Sequence, residues 1–562
     1  MKTFKRLLAI GAALTLTAGF AVGCSVETPP DLSADSTVKI EESKSQLYVF
    51  NFAGGYGTEW LTDLAQRYEA ANENKSFEKG KTGIQIIPTN SKSQVSSTVI
   101  KNGKEMVYFA EQVDYYGDLK GNNAVADITK AVTGKNPYDA EGVTLESKLY
   151  DDQKSYFNIN GSYYAYPHYL TSFGFVYDVT LFNERGYFFA QDRVTNTSNQ
   201  QVWLTGQFVN TSNRQVKSAG PDGKTGTTDD GLPATYDEFF TLCDYISMKG
   251  DLPMLWTGQY YSGYITHVVN ALASEYEGYA QMRMNFTFNG TATNLGKVVG
   301  GQFVEDAADT TITSANAYEL KRQAGKYYGL SFVEKLFKQN FITDNHFSST
   351  YSHLDAQEAF LKNVNSGDAS NKAVAMLAEG TWWESEAKPV FNELKQNANY
   401  QEREYGWMPL PKATTAKVGT KSVMYDIMYP LCVVKGGVTD WRLDAAIDFV
   451  QFANSQTSLE AFNNITGVPK AVQYEMSDLT KMTKFGQSLY TFTKNADIVF
   501  PYSNSALFVS NQTNFSEING GAWNSKVNVD KTPSVTFREK GVSAADYFAG
   551  MYAYAQAQEI YK

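Results

Sequence analysis

The chain has 562 residues, with 49 Lys plus Arg against 60 Asp plus Glu and a formal net charge of −11. That balance argues against nucleic acid and against lying flat on anionic lipid, and the length allows two or more domains with substantial cores. The chain has four histidines, and they show no metal-ligand spacing such as HExxH.

The first residues, MKTFKRLLAI, place Lys2, Lys5 and Arg6 before the apolar run LLAIGAALTLTAGFAV. This pattern predicts a secretory signal over residues 1–23 rather than a spanning helix. It ends in AVGC, which resembles the bacterial lipobox, so Cys24 is the expected lipidation site and first mature residue; several acyl chains together make a firm anchor. Cleavage removes three positive charges and moves the net charge from −11 to −14. Residues 24–45 are polar, carry Pro29 and Pro30, and read as a flexible tether. No second apolar run is long enough to span a bilayer.

Beyond the tether the chain alternates strand and helix. QLYVFNF predicts a strand, and GTEWLTDLAQRYEAAN a helix with Thr58 as N-cap and Leu61, Leu64, Ala65 and Tyr68 on its buried face. TGIQIIP is a strand, SKSQVSSTVIKNG a short helix, and EMVYFAE a third strand. PATYDEFFTLCDYISMKG carries a capping box, Thr235 with Glu238. LPMLWTG and KAVAMLAEG are further strands, each followed by helix, and DWRLDAAIDFVQFANS is amphipathic. This alternation predicts an α/β fold with a largely parallel sheet. Cys243 and Cys432 read as small buried hydrophobes, with a disulfide between them left open.

In open α/β sheets the ligand lies beyond the carboxyl ends of the strands. Four predicted strands run out into polar, aromatic loops there. QLYVFNF leads to AGGYGTEW with Tyr56, and EMVYFAE to QVDYYG with Asp114, Tyr115 and Tyr116. LPML leads to WTGQYY with Trp256, Tyr260 and Tyr261, and VAML to AEGTWWE with Trp382 and Trp383. Flat rings with polar edges suit a sugar, whose C–H face stacks on an aromatic platform while its hydroxyls take Asp, Asn, Gln or Tyr groups. The stretch GSYYAYPHYL, residues 161–170, adds Tyr166 and His168 to the same expected cleft. Any one of these rings also has a plain alternative, core packing, and Trp60 is read as core. GGYG at residues 54–57 lacks both nucleotide-binding glycine patterns and reads as a tight turn at a helix N-terminus. Asp222, Asp229 and Asp230, in GPDGKTGTTDDG, have two open readings, a structural calcium site or a solvated Gly/Asp turn. No other cofactor is expected. No catalytic motif is found.

The segment GSYYAYPHYLTSFGFVYDVTLFNERG resembles the signature of bacterial extracellular solute-binding proteins of the carbohydrate type, which feed ABC transporters. The matching positions are Gly161, Tyr164, Ala165, Pro167, Gly174, Tyr177, Leu181 and Phe182. LPATYDEFFTLC, AVAMLAEGTWWE, YGWMPLPKA and AAIDFVQFANSQTSLEAFNNITGVPKAV follow in the family's order. The resemblance implies a two-lobe, periplasmic-binding-protein-like fold with a ligand cleft between lobes joined by crossing hinge strands. Lobe 1 would hold residues 46–168 and 424–472, and lobe 2 residues 169–423 and 473–562. It implies a first crossing after Tyr166-Pro167-His168, a second near SVMYDIMYP with Tyr425 by the cleft, and a sugar-facing Trp382. Extra sequence at residues 187–230 and within 275–350 departs from the family's length. The expected role is non-enzymatic: a monomer, lipid-anchored to the outer face of the bacterial cell membrane, capturing an oligosaccharide for ABC transporter permease subunits. A cell-surface glycosidase or lyase, and a binding protein for a peptide or polyamine, stand as alternatives.

Overall fold

The structure is a computed structural model. It describes residues 38–501 apart from 196, 211–213, 260, 340, 343, 344, 346, 347, 366–371 and 399, together with 537 and 542–557. The signal, Cys24, most of the tether and Tyr260 lie outside the described residues. No helix among the described residues is long and apolar enough to cross a membrane.

Two main sheets carry the molecule. Their strands, in chain order, are β1 (Ser45–Phe52), β2 (Ile84–Ser91), β3 (Val107–Ala110), β4 (Tyr166–Pro167), β5 (Phe173–Asp178), β6 (Leu252–Leu255), β7 (Val374–Gly380), β8 (Tyr405–Met408) and β9 (Leu431–Val434). The first sheet has the order β2-β1-β3-β9-β4 and the second β8-β5-β7-β6. In the first, β1 is parallel to β2 and β3, whereas β9 runs antiparallel to β3 and β4. In the second, β7 is parallel to β6 and antiparallel to β5, which also pairs antiparallel with β8. Each sheet is therefore mixed, not largely parallel as expected. The odd strands are those next to crossings: β9 enters the first sheet as the chain returns from the second, and β5 opens the second as the chain leaves the first. Strands β3, β5, β7 and β9 are buried along their whole length, as central strands covered on both faces must be.

Local signals account for most helices. Helix Glu59–Ala71 buries Trp60, Leu61, Leu64 and Tyr68, with Glu59 in its first turn, but Thr58 makes no side-chain cap bond. Helix Tyr236–Met248 is capped by Thr235, whose hydroxyl accepts from Glu238 N at 3.3 Å. The reciprocal half of the expected box is displaced by one residue: Glu238 accepts from Ala234 N at 2.7 Å and pairs with Arg193 at 2.6 Å. The predicted helix after Gly380 is broken at Ala387, ahead of Pro389, into Trp383–Glu386 and Lys388–Lys395. Cys243 and Cys432 are free, buried thiols.

Candidate functional site

Three chain segments pass between the sheets and are bonded to one another. His168 N donates to Pro430 O at 2.9 Å, and Leu170 N to Pro469 O at 2.9 Å. Thr171 is the knot. Its backbone N and Oγ1 donate to Asp426 Oδ1 at 3.1 and 2.6 Å, and its Oγ1 accepts from Met428 N at 2.8 Å. Thr381 ties in the end of β7, donating from N to Ser172 O and from Oγ1 to Leu170 O, both at 3.0 Å. Gln112 and Tyr429 flank this knot with φ of 52° and 37°. Such left-handed non-glycine residues are strained and persist only where their surroundings hold them. Gln112 is held by its N–H bond to Met428 O at 3.1 Å.

The loop after β1 and the end of β7 meet at Trp382. Asn51, buried at the end of β1, donates to Gly57 O at 3.1 Å and to Asn90 Oδ1 at 2.9 Å, bracing the loop against the end of β2. Gly57 adopts φ of 70°, which only glycine takes without strain. A Cβ on Gly55 would stand 2.4 Å from Trp382 Cδ1, and one on Gly380 would stand 2.3 Å from its Cη2. Backbone from the first sheet and backbone from the second thus lie against one indole, which is 6% exposed. Lys388 closes the outer edge, 2.5 Å from Glu59 Oε2 and 2.9 Å from Ile465 O.

Buried carboxylates gather at this seam. Glu111, at the end of β3, accepts from the Tyr169 hydroxyl. Burial raises its pKa to about 7, against the help of the Tyr169 bond, and the charges of Glu386 and Asp426 raise it further. Glu379 accepts from Tyr264 Oη at 2.9 Å, Gln357 Nε2 at 3.1 Å and Gly380 N at 2.7 Å. Burial and then the Glu386 charge lift it to about 7. Glu386 accepts from Gln357 Nε2 at 2.7 Å and lies 3.5 Å from His353 Nε2. Burial pulls the His353 pKa down, but the Glu386 bond and charge outweigh it and hold it above the ordinary value; Lys92 of the first lobe opposes them.

The sequence-derived residues fall into separate places. Tyr56 and Trp382 reach the seam from opposite sides: the Tyr56 ring packs 4.2 Å from that of Tyr169, and its neighbour Gly55 touches the indole. The other expected positions need correction. Tyr166 points into the first lobe and donates to Leu145 O at 2.9 Å. His168 is enclosed by Phe109, Trp60, Phe462, Tyr169 and Tyr56 at centroid distances of 4.7–5.5 Å. Its Nδ1 lies 2.7 Å from Lys470 Nζ. Burial and then the Lys470 charge lower its pKa, and burial lowers that of Lys470 to about 7. Tyr115 is buried among Tyr116, Tyr156 and Phe157, while Asp114 is exposed and accepts from Gly117 N at 2.8 Å. Trp256 is core against Phe337, and Trp383 is core among Phe360, Phe391, Tyr405 and Phe485. Tyr425 is buried in Val423–Tyr425, its ring 6.1 Å from Phe286. A strand that is apolar on both faces leaves adjacent rings no surface but core, which is why most of these side chains turn inward.

In the aspartate-rich loop the carboxylates bind the loop's own backbone. Asp222 accepts from Lys224 N, Asp229 from Asp222 N and Thr227 Oγ1, and Asp230 from Gly226 N. The loop is thus turned about its own aspartates, and no group of three or more acidic, His or Cys side chains among the described residues is placed to hold a metal ion.

Reading from single residues missed Glu111, Tyr169, Gln357, Glu379, Glu386 and Asp426. Two left a signal, since Glu111 and Glu379 are carboxylates at the carboxyl ends of otherwise apolar strands. Gln357 and Glu386 sit on helices and left none.

Two mixed sheets, three crossing segments and a seam at the strand carboxyl ends make a two-lobed α/β fold. No protein family and no curated protein matches the sequence. Among solved structures, the chain is similar to a chitin oligosaccharide binding protein at 12% identity and a TM-score of 0.49, over 91% of this chain and 98% of that one.

Proposed function

We infer that this protein captures an oligosaccharide outside the cytoplasm, anchored through Cys24, and delivers it to an ABC transporter permease. Binding is non-covalent. The observation that carries this reading is Trp382 lying between Gly55 of the first lobe and Gly380 of the second. When the lobes part about the Thr171–Asp426 knot, Gly55 leaves the indole and a flat apolar platform is uncovered beside buried hydrogen-bonding groups. A sugar ring takes the place of Gly55. Short crossing segments bonded at both ends favour rotation over sliding, and the closed form gains only what the ligand contacts in it exceed those in the open form. A side chain at position 55 would strike the ring, so glycine suits both states.

A thermal-shift screen across oligosaccharides, peptides and polyamines tests the reading, because a ligand bound only by the folded state raises Tm. A rise with peptides and none with any saccharide would replace it. Two carboxylates that feel each other across the seam, Glu111 and Glu386, also suit glycoside hydrolysis. Chromatography of incubated oligosaccharides decides between the two: intact sugar supports capture, and shorter products support hydrolysis.

A further inference from the structure

Helix Tyr261–Thr287 is held by the second lobe as far as Gly278. Tyr264 donates to Glu379, at the end of β7, at 2.9 Å, and its ring stands 4.7 Å from that of Phe173 on β5. Glu275 pairs with Lys412, beyond β8, at 2.6 Å. At Gly278 the backbone takes φ 78° and ψ 167°, and the helix resumes past a kink. A Cβ there would meet nothing within 4 Å, so glycine answers a need of the backbone alone. The resumed turns stay with the second lobe: Asn285 accepts from Lys326 Nζ at 2.6 Å, on helix Ala324–Lys338, whose Phe332 ring stands 6.2 Å from that of Phe175 on β5. They carry Tyr279 and Arg283, four positions apart and therefore on one face. Both reach Asp152: Tyr279 Oη donates to its Oδ2 at 2.6 Å, and Arg283 Nε to its Oδ1 at 2.7 Å.

Asp152 belongs to the first lobe. In its helix, Asp151–Phe157, Gln153 Nε2 donates to Ala471 O at 2.6 Å and Tyr156 O accepts from the Tyr116 hydroxyl. The rings of Tyr156 and Phe157 each stand 5.6 Å from that of Tyr115, a few residues past β3. Two donors of one lobe thus close on the two oxygens of one carboxylate of the other. The Asp152 side chain is 10% exposed and that of Arg283 41%, whereas the Lys388–Glu59 pair at the outer edge is 34% and 69% exposed. Exposed pairs contribute little, and charge-assisted bonds to a largely buried carboxylate contribute more. Phe286, in the turn after Arg283, stands 6.1 Å ring to ring from Tyr425, the residue before the knot's Asp426. The bonds to Asp152 therefore lie beside the crossing segments.

Resting on the capture reading above, we propose that Asp152, Tyr279 and Arg283 form a clamp that holds the empty protein closed and so opposes capture. The clamp and the contact of Gly55 with Trp382 are met in one conformation. With a sugar ring in place of Gly55 the lobes stand further apart than here. Parting them moves Tyr279 and Arg283 relative to Asp152, and two bonds of fixed direction to one carboxylate break together. A ligand that needs the parted form binds with its affinity lowered by the fraction of molecules in that form. The three side chains are positioning residues: they set affinity through the balance of two conformations, not by touching the sugar.

The test compares the full chain with Asp152→Ala and with the double variant Tyr279→Phe plus Arg283→Met. Asp151→Ala is the control, since the Asp151 side chain is fully exposed and pairs with Lys154 of its own helix at 3.3 Å. Small-angle scattering of the empty protein is expected to give both clamp variants a larger radius of gyration, and hydrogen exchange to quicken at the seam, residues 53–57 and 380–383. Asp151→Ala should match the unaltered chain, and the double variant serves where Asp152→Ala melts early. Faster exchange confined to residues 151–157 and 279–287, with the seam and the radius unchanged, overturns the clamp. Calorimetric titration then uses tri- to hexasaccharides of glucose, xylose, mannose and N-acetylglucosamine. A saccharide that binds the unaltered chain is expected to bind both clamp variants about three- to tenfold more tightly. Equal or weaker binding by variants of enlarged radius overturns the opposition to capture. No binding of any saccharide to any form overturns the capture reading, while the radius still decides whether the empty protein is clamped.

Discussion

Tyr56 is shared by two buried clusters of opposite character. Around its ring, inside the first lobe, lies a basic pair, His168 and Lys470, walled by aromatic rings and with no carboxylate bonded to it among the described residues. Its hydroxyl instead feels the charge of Glu111, a buried carboxylate with no lysine or arginine ion-paired to it among the described residues. Glu111 on one side, and His168 with Lys470 on the other, are deprived of water, and burial shifts each toward its neutral form. The difference is in their walls. The basic pair is sealed by side chains of one lobe, so its cost is permanent and its role structural. Glu111 lies where the two lobes meet, so its cost is relieved when they part.

Changes to the two regions should therefore differ in kind. The largest effect is expected at a control position: Trp383→Ala removes an indole from the second lobe's core and should cost about 3–5 kcal/mol by urea unfolding, with ligand affinity spared in the folded fraction. Glu111→Gln should stabilise the empty protein by about 2–3 kcal/mol above pH 7. The sign follows from proton counts. The folded state keeps the Glu111 proton up to about pH 7, whereas the carboxyl's ordinary value is 4.5. Between these values the folded state binds more protons, so stability falls as pH rises, and the variant's advantage should vanish below about pH 5.

The basic pair should show the reverse slope. Lys470 loses its proton in the folded state at about 7, against an ordinary 10.5. Its penalty is complete below pH 7 and fades as pH climbs toward 10.5. Lys470→Met should stabilise acidic solutions by about 1–2 kcal/mol and lose that advantage above about pH 10, read from melts across pH. A slope of the same sign in both variants would break the contrast. The smallest effect is expected from Gly55→Ala. The added methyl meets the Trp382 indole, so the closed form suffers and the open form does not. The clash falls on the empty closed form, which the sugar displaces, so saccharide affinity should rise by up to about tenfold while Tm moves by less than about 3 °C, and scattering should report a larger radius of gyration for the empty protein.

Much of this architecture was legible in particular residues. Alternating strands and helices, with the boundaries of QLYVFNF and KAVAMLAEG, appear nearly where periodicity puts them. The chain leaves the first sheet after Pro167 and re-enters it at Leu431. The aromatic loops were harder to read. Trp382 and Trp383 are neighbours in sequence, yet one reaches the seam and the other the core. The choice between them depends on what the opposite lobe presents, a glycine at position 55, more than three hundred positions away. Tyr166 and His168 carry polar tips that read as cleft-facing, but Leu145 O and Lys470 satisfy them inside the first lobe.

By itself the sequence determined the elements, because hydrophobic period and turn chemistry act over a few residues, and it placed aromatic and acidic groups at the carboxyl ends of the strands. Only tertiary structure decided which of those groups meet. Burial, and with it the titration of Glu111, depends on atoms contributed by Tyr169, Glu386 and Asp426. Charge in a low-dielectric seam is governed by distance in space, and distance in space is set by how the two sheets dock, which no local pattern encodes.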